Sequence, residues 1–472
     1  MTTTDQTRPL SVVQQSMWTT YRLAPDSSAY NTVLRLRVRG RVDTEALTRA
    51  VRAVQEQHEQ VRSLFIEHGG WPCRVPLDEP LDAFVLLDLV GADEAELLNA
   101  SHSACMTPFR LETEGPLRIV LVRRAPDDGV LVVAAHHIIN DFVSRALLVR
   151  DLLSAYADAA VGRAPVLKPI TASYDEHVGA ESRFLASEAG DKAAGRWRQS
   201  LAGAEPAELP LDRPRPVVRA YTGDTVERRL PADLVVSLAG AAEAAGVTTF
   251  AFLLAAFQTV VHRWTGQDDF LLGVPATARF GLGMREVVGC FTNPLPVRAS
   301  FRAGDTFHDV ASAAGREVLR ALSDSRYPSA LLGHSTGEQA APLYHMALFL
   351  VDTERMYRSV PRPPEHGRSE GPAVTCAGLR ITMIDTPQQE GQLDLLLRME
   401  QGPETISTAY SYDIEVLSRA TVERIADGFE RVLRSVVAAV GTPVADIPLT
   451  VGEDLRELLS LGDMTSGGGT LP

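Results

Sequence analysis

Val130-Leu-Val-Val-Ala-Ala-His-His-Ile-Ile-Asn-Asp141 is the stretch on which the fold turns. Its first six residues are apolar on both alternating faces, the pattern of a strand covered on both sides. Upstream, 117–123 reads as another strand, and Ala125-Pro-Asp-Asp-Gly129 between the two is turn chemistry. Together they form a hairpin whose second arm lies centrally in its sheet. Directly after Asp141, Val143, Leu147, Leu148 and Leu152 recur at helical spacing on one side. Two histidines therefore end a central strand, and an aspartate opens the helix behind it. Side chains at such a strand end emerge into a crevice, and imidazole titrates near neutrality, which suits it to moving a proton. The competing use is structural: one histidine packed in the core, and Asp141 serving only as an N-cap.

Working outward, Leu34, Leu36 and Val38 alternate with Arg35, Arg37 and Arg39 over 31–39, which predicts a strand with one face in water. Asp43 then N-caps a helix in which Leu47, Val51 and Val54 recur, running to about His58. From about 160 to 222 the composition shifts to prolines, a polar helix at 180–201 and a proline-rich crossing. The second half repeats the style of the first: strands at 225–230, 270–274, 346–351 and 393–399, and helices at 231–244 and 248–264. The expected division is one α/β lobe over 1–175, a second over 176–460, and a flexible tail over 461–472.

A chain of 472 residues exceeds what one hydrophobic core usually serves. Its net charge of −14 repels phosphate backbones and anionic lipid, so neither nucleic acid nor a membrane surface is expected as a partner. Apolar content of 45% with 22% charged residues is ordinary for a folded, soluble protein. Cys73, Cys105, Cys290 and Cys376 have no metal-ligand spacing, which predicts neither a disulfide framework nor a structural zinc and fits a reducing cytoplasm. The N-terminus carries no basic segment followed by an apolar core, so no signal peptide is read there. The longest uncharged run, 244–261, is broken by glycine, threonines and glutamine and reads as a buried helix.

The segment 136–141 spells HHxxxD, and the chain around it resembles the condensation domains of non-ribosomal peptide synthetases over about 10–455. LSVVQQSMW at 10–18 is similar to the family's first motif and HEQVRSLF at 58–65 to its second. SYDEH at 173–177 matches the fourth weakly, and VGCFTNPLPVR at 288–298 resembles the fifth. LPLDRPRP at 209–216 and TGQDDFLLGVPATAR at 265–279 are also typical of the family. The resemblance implies an α/β fold of two chloramphenicol-acetyltransferase-like lobes, a V-shaped pseudo-dimer with a central tunnel. Peptidyl or acyl carrier proteins would deliver substrates there on phosphopantetheine, with no metal or other bound cofactor. The acceptor would be an amine or an alcohol, giving an amide or an ester.

By the same resemblance His137 is the catalytic residue, as general base or as the group that orients the nucleophile, and His136 supports it. Asp141 pairs with Arg62 of the second motif in a buried ion pair. Asn293 lies near the tunnel, with use in a turn before Pro294 as its alternative. Three departures stand out. Phe142 occupies the position after the aspartate where the family has glycine, and is expected to line and narrow the tunnel; Ser16 replaces an arginine of the first motif; Arg326–Ser329 keeps only the proline of the sixth. Gly333-His-Ser-Thr-Gly337 fits the GxSxG elbow of serine hydrolases, but only Asp352 and His366 remain to complete a triad, in too short a span. The chain begins with Met and lacks adenylation or carrier sequences, which favours a free-standing enzyme over an excised domain. The alternative function is a catalytically silent module that recruits a partner enzyme or carrier.

Overall fold

A computed structural model describes residues 7–216, 219–336, 343–357, 360–364, 369–386, 391–402 and 404–449. In chain order the first half holds β1 (Arg8–Pro9), α1 (Val12–Leu23), β2 (Asn31–Arg39), α2 (Thr44–Gln57), β3 (Ser63–His68), β4 (Trp71–Pro76), β5 (Phe84–Asp88), α3 (Glu94–Met106), β6 (Leu117–Ala125), β7 (Asp128–His136), α4 (Phe142–Ala160), α5 (Tyr174–Leu185) and α6 (Glu188–Leu201). The second half holds β8 (Gly223–Arg229), α7 (Ala232–Ala244), α8 (Thr249–Thr265), β9 (Asp269–Val274), β10 (Leu295–Ser300), α9 (Phe307–Ser323), β11 (Met346–Asp352), α10 (Thr353–Met356), β12 (Val374–Cys376), β13 (Leu379–Ile384), β14 (Leu395–Gln401), β15 (Ile406–Asp413) and α11 (Arg419–Ala438). The tail at 461–472 lies outside the described residues.

The expected hairpin forms, with β6 antiparallel to β7 and Leu121 opposite Leu131. β7 is central, flanked by β2 and β6 in a six-stranded sheet of order β12-β13-β2-β7-β6-β5. Alternation along β6 explains how both faces are covered. Leu117 and Ile119 meet Val51 and Val54 of α2 and Leu148 and Leu152 of α4, whereas Arg118 and Val120 turn to Ala100 and Ala104 of α3. Val143, expected on the apolar side of α4, is exposed instead.

The face of β2 expected to be wet is not. Arg35 and Arg37 are 5% and 3% exposed. Arg37 donates to both carboxylate oxygens of Glu94 on α3 at 2.8 and 3.0 Å and to Asp128 at 2.7 Å, and Arg35 donates to the Leu98 and Asp385 carbonyls, each at 3.2 Å. The charges are buried because α3, Asp128 and the Asp385 carbonyl supply acceptors for them.

A second six-stranded sheet runs β10-β9-β11-β14-β15-β8. In its core α8 buries every residue from Ala251 to Val261, Gln258 and Thr259 included, so no side of this stretch faces water. Among the described residues no single helix is long and apolar enough to cross a membrane. Only α7 and α8 pass that test as a pair, and they bend by 100° at the break between them.

One segment departs from the expected division at 175/176. β13 pairs antiparallel with β2, Ile381 opposite Val38, so 374–384 crosses from the second half into the first sheet. The crossing is held by Arg39 paired with Glu370 as well as by the ladder. Between the sheets Tyr174, Val178, Val287 and Phe291 form a small apolar cluster of their own.

Candidate active site

β7 ends at His136, and the chain then makes one 3-10 turn, His137–Ile139, before Asp141 caps α4 by accepting from Ser144 N at 2.8 Å. The turn is fixed from several directions. His137 N donates to the Tyr30 carbonyl at 2.8 Å, Gln14 of α1 donates from Nε2 to the Ile138 carbonyl at 2.9 Å, and Asn140 donates to Thr32 Oγ1 at 2.6 Å. Such anchoring holds side chains at a strand end in one orientation.

The two histidines differ in environment. His136 is 4% exposed, ringed by Tyr21, Tyr30 and Phe109, and accepts from Ile138 N through Nδ1 at 3.1 Å. Burial, with His137 beside it, lowers its pKa to about 3, so it stays neutral and carries its proton on Nε2. His137 is half-buried, edge-on to Tyr30, with Nδ1 3.8 Å from Cys290 Sγ. Cys290 belongs to the segment between β9 and β10, so the His137 ring sits where the two halves of the chain meet.

Asp141 does not pair with Arg62. Its Oδ1 and Oδ2 accept from Arg279 Nη2 and Nε at 2.8 and 3.1 Å, with side-chain exposures of 7% and 6%. Arg279 also donates to the Met284 and Val287 carbonyls at 2.8 and 2.7 Å and lies 4.0 Å above the Phe291 ring. Arg62 is committed elsewhere: it donates to the carbonyls of Gln55, Glu56 and Leu77 at 2.8, 2.7 and 2.9 Å. It closes the C-terminal end of α2, where unpaired carbonyls attract a cation. The family-like run 265–279 ends in Arg279, but the sequence pattern gives that arginine no role.

Ser144 continues the joint, donating to the Gly289 carbonyl at 2.7 Å and accepting from Gly289 N at 3.0 Å. Tyr174 donates to the Cys290 carbonyl at 2.6 Å and meets Ser11 Oγ at 2.9 Å. Thus α1, α4, α5 and the segment 287–291 converge behind the histidine turn.

Asn293 is 7% exposed, and its side chain makes three hydrogen bonds within the protein. It donates to the Ser325 and Tyr327 carbonyls at 2.8 and 2.9 Å and accepts from Ser329 N at 2.8 Å. With both N–H donors spent it clamps the loop 325–329, and the substrate-lining expectation gives way to the structural one. Phe142 is half-buried at the first turn of α4, with the Arg145 guanidinium 4.8 Å from its ring centre; Arg145 in turn donates to Tyr357 OH at 3.3 Å. Around the GxSxG sequence, Ser329–Thr336 forms a 3-10 helix and no strand enters it. Gly337 and His366, and the side chains of His334 and Ser335, lie outside the described residues.

Among the described residues no three His, Cys, Asp or Glu side chains gather to hold a metal ion. An open depression of about 460 Å³ lies between β5, β6 and α3, and neither His136 nor His137 lines it. Its one charged lining residue is Arg118, so its lining holds no acid–base pair.

The sequence matches the family model described as Condensation domain over residues 4–459. It is 29% identical over 463 residues to a linear gramicidin synthase of Brevibacillus parabrevis, covering 96% of this chain and 9% of that protein. The chain thus spans less than a tenth of that relative's length. Its fold is like that of an X-domain solved in complex with OxyB from teicoplanin biosynthesis, with TM-score 0.84 and 24% identity over 94% of this chain and 96% of that one. It is also like the starter condensation domain of rhizomide synthetase RzmA, with TM-score 0.77 and 20% identity over 94% of this chain and 100% of that one.

Proposed function

The chain belongs to the condensation-domain family, two chloramphenicol-acetyltransferase-like lobes, and we propose that it condenses a carrier-bound acyl thioester with an amine or hydroxyl acceptor in non-ribosomal peptide or hybrid natural-product biosynthesis. The observation that carries this reading is the His137 ring at the junction of the two halves, on a turn anchored by Tyr30, Gln14 and the Asp141–Arg279 pair. In the reaction the acceptor nitrogen or oxygen attacks the thioester carbonyl carbon, the C–S bond breaks, and the phosphopantetheine thiol leaves. His137 takes the acceptor's proton and returns it to the departing sulfur, or orients the acceptor for attack. His136, neutral and buried, supports the turn and does not exchange protons. The thioester supplies the energy, so the reading needs no metal or bound cofactor.

A silent recruiting module is the second reading, favoured by the likeness to an X-domain solved with a partner protein and by Phe142. Incubation with acyl-loaded carrier protein and candidate acceptors, followed by mass spectrometry, separates the two. His137→Ala should lower transfer by roughly 10²- to 10⁴-fold with the melting temperature nearly unchanged. Transfer near the parent level in that variant removes His137 from the chemistry. Tight carrier or partner binding with no transfer by the parent protein supports the module instead.

A further inference from the structure

Cys290 is fully buried, and its sulfur has three polar or soft neighbours: Thr292 Oγ1 at 3.2 Å, His137 Nδ1 at 3.8 Å and Met17 Sδ at 4.0 Å. Burial pushes this thiol up to about 12, so at neutral pH it holds its single proton. One proton can serve only one of these contacts, and the hydroxyl oxygen is the nearest acceptor. The backbone that carries the imidazole is fixed, because His137 N is tied to Tyr30 and the turn to Gln14.

We propose that Cys290 is a positioning residue that sets the tautomer of His137: its S–H is directed to Thr292 Oγ1 and its sulfur lone pair receives His137 Nδ1–H, leaving Nε2 as the basic nitrogen. This rests on the reading of His137 as the proton-handling residue, since with the proton on Nε2 the ring has no lone pair to offer the acceptor there. The thiol suits the task because it is a weak donor and a soft acceptor. It selects a tautomer without charging the ring, as a carboxylate in the same place would.

The test uses the full chain with ring-¹⁵N histidine, whose two neutral tautomers give different two-bond ¹H–¹⁵N patterns. Among the eleven histidines the His137 signals are those absent from His137→Gln. At a pH where the ring is neutral, the parent protein should show Nδ1–H. Cys290→Ala should shift the tautomer ratio toward Nε2–H by about 3- to 10-fold, the worth of one hydrogen bond. It should lower kcat in proportion to the Nδ1–H fraction lost, by at most that factor, with KM unchanged, and Cys290→Ser should restore both. Thr292→Val, isosteric and sparing the cysteine, frees S–H to donate into Nδ1 and should move the ring the same way. An Nε2–H ring in the parent, or a ring unchanged in both Cys290→Ala and Thr292→Val, overturns the inference. If transfer proves independent of His137 the catalytic reading falls alone, because the ring spectrum still decides the tautomer.

Discussion

Removing Asp141 should unfold the joint between the lobes, through Arg279 and not through Arg62. The pair is bidentate at 2.8 and 3.1 Å with both side chains almost wholly buried, so Asp141→Ala leaves a guanidinium without its countercharge. Breaking such a pair from one side costs about 3 to 5 kcal/mol. Arg279 keeps the Met284 and Val287 carbonyls, which places the cost near the lower end, about 3 kcal/mol. Loss of the α4 cap at Ser144 adds about 1 kcal/mol. At about 2 to 4 °C per kcal/mol for a lobe-sized unit, the melting temperature should fall by roughly 8 to 16 °C. The partner is identified by two double-mutant cycles read by urea denaturation. Asp141→Ala with Arg279→Ala should show a coupling of about 1 to 3 kcal/mol, and Asp141→Ala with Arg62→Ala should be additive within about 0.5 kcal/mol. Additivity with Arg279 and coupling with Arg62 would refute the assignment. A stable Asp141→Ala protein that has lost only transfer would put the carboxylate in the chemistry.

Three further outcomes are expected. Burial lowers the pKa of His136 to about 3 and, with Arg279 near it, that of His177 to about 4. The unfolded chain therefore binds more protons, and stability declines as pH falls from about 6.5 toward those values, by about 1.4 kcal/mol per pH unit for each histidine. His136→Gln should flatten the slope of urea stability between pH 6.5 and 5 by one histidine's share, and an unchanged slope would show that His136 is protonated when folded. In Phe142→Gly a modest loss of stability, up to about 1 kcal/mol, should accompany acceptance of bulkier acyl or amine partners. An unchanged substrate range with activity retained would mean that the ring serves only as a platform for Arg145. Gly289→Ala would drive a methyl group into the Tyr174 ring, which Ser11 and the Cys290 carbonyl hold in place. A loss of about 1 to 3 kcal/mol or more is expected by denaturation, and a neutral result would show that the ring can swing aside.

The parts of this protein legible in its sequence are those written in short-range periodicity. The β6–β7 hairpin, α2 with its Asp43 cap and the helix behind Asp141 follow from apolar spacing and turn chemistry within windows of about twenty residues. The β2 arginines mislead for a physical reason: alternation distinguishes two faces but not water from an opposing helix, and Glu94 of α3 turns the charged face into an interior one. β13 reaches the first sheet from the second half of the chain, and nothing in its own apolar pattern says which sheet it joins. The site divides along the same line. Its histidines and aspartate are contiguous, so their placement at the end of a central strand could be read directly. The partner of Asp141 is 138 residues away, and an arginine's side-chain chemistry is the same in Arg62 and Arg279. What separates them is which carbonyls each already satisfies. Arg62 spends Nη1 on the end of α2 and Nε on the Leu77 carbonyl, and only the residue still able to present a fork to the carboxylate can lock the histidine turn to the second half of the chain.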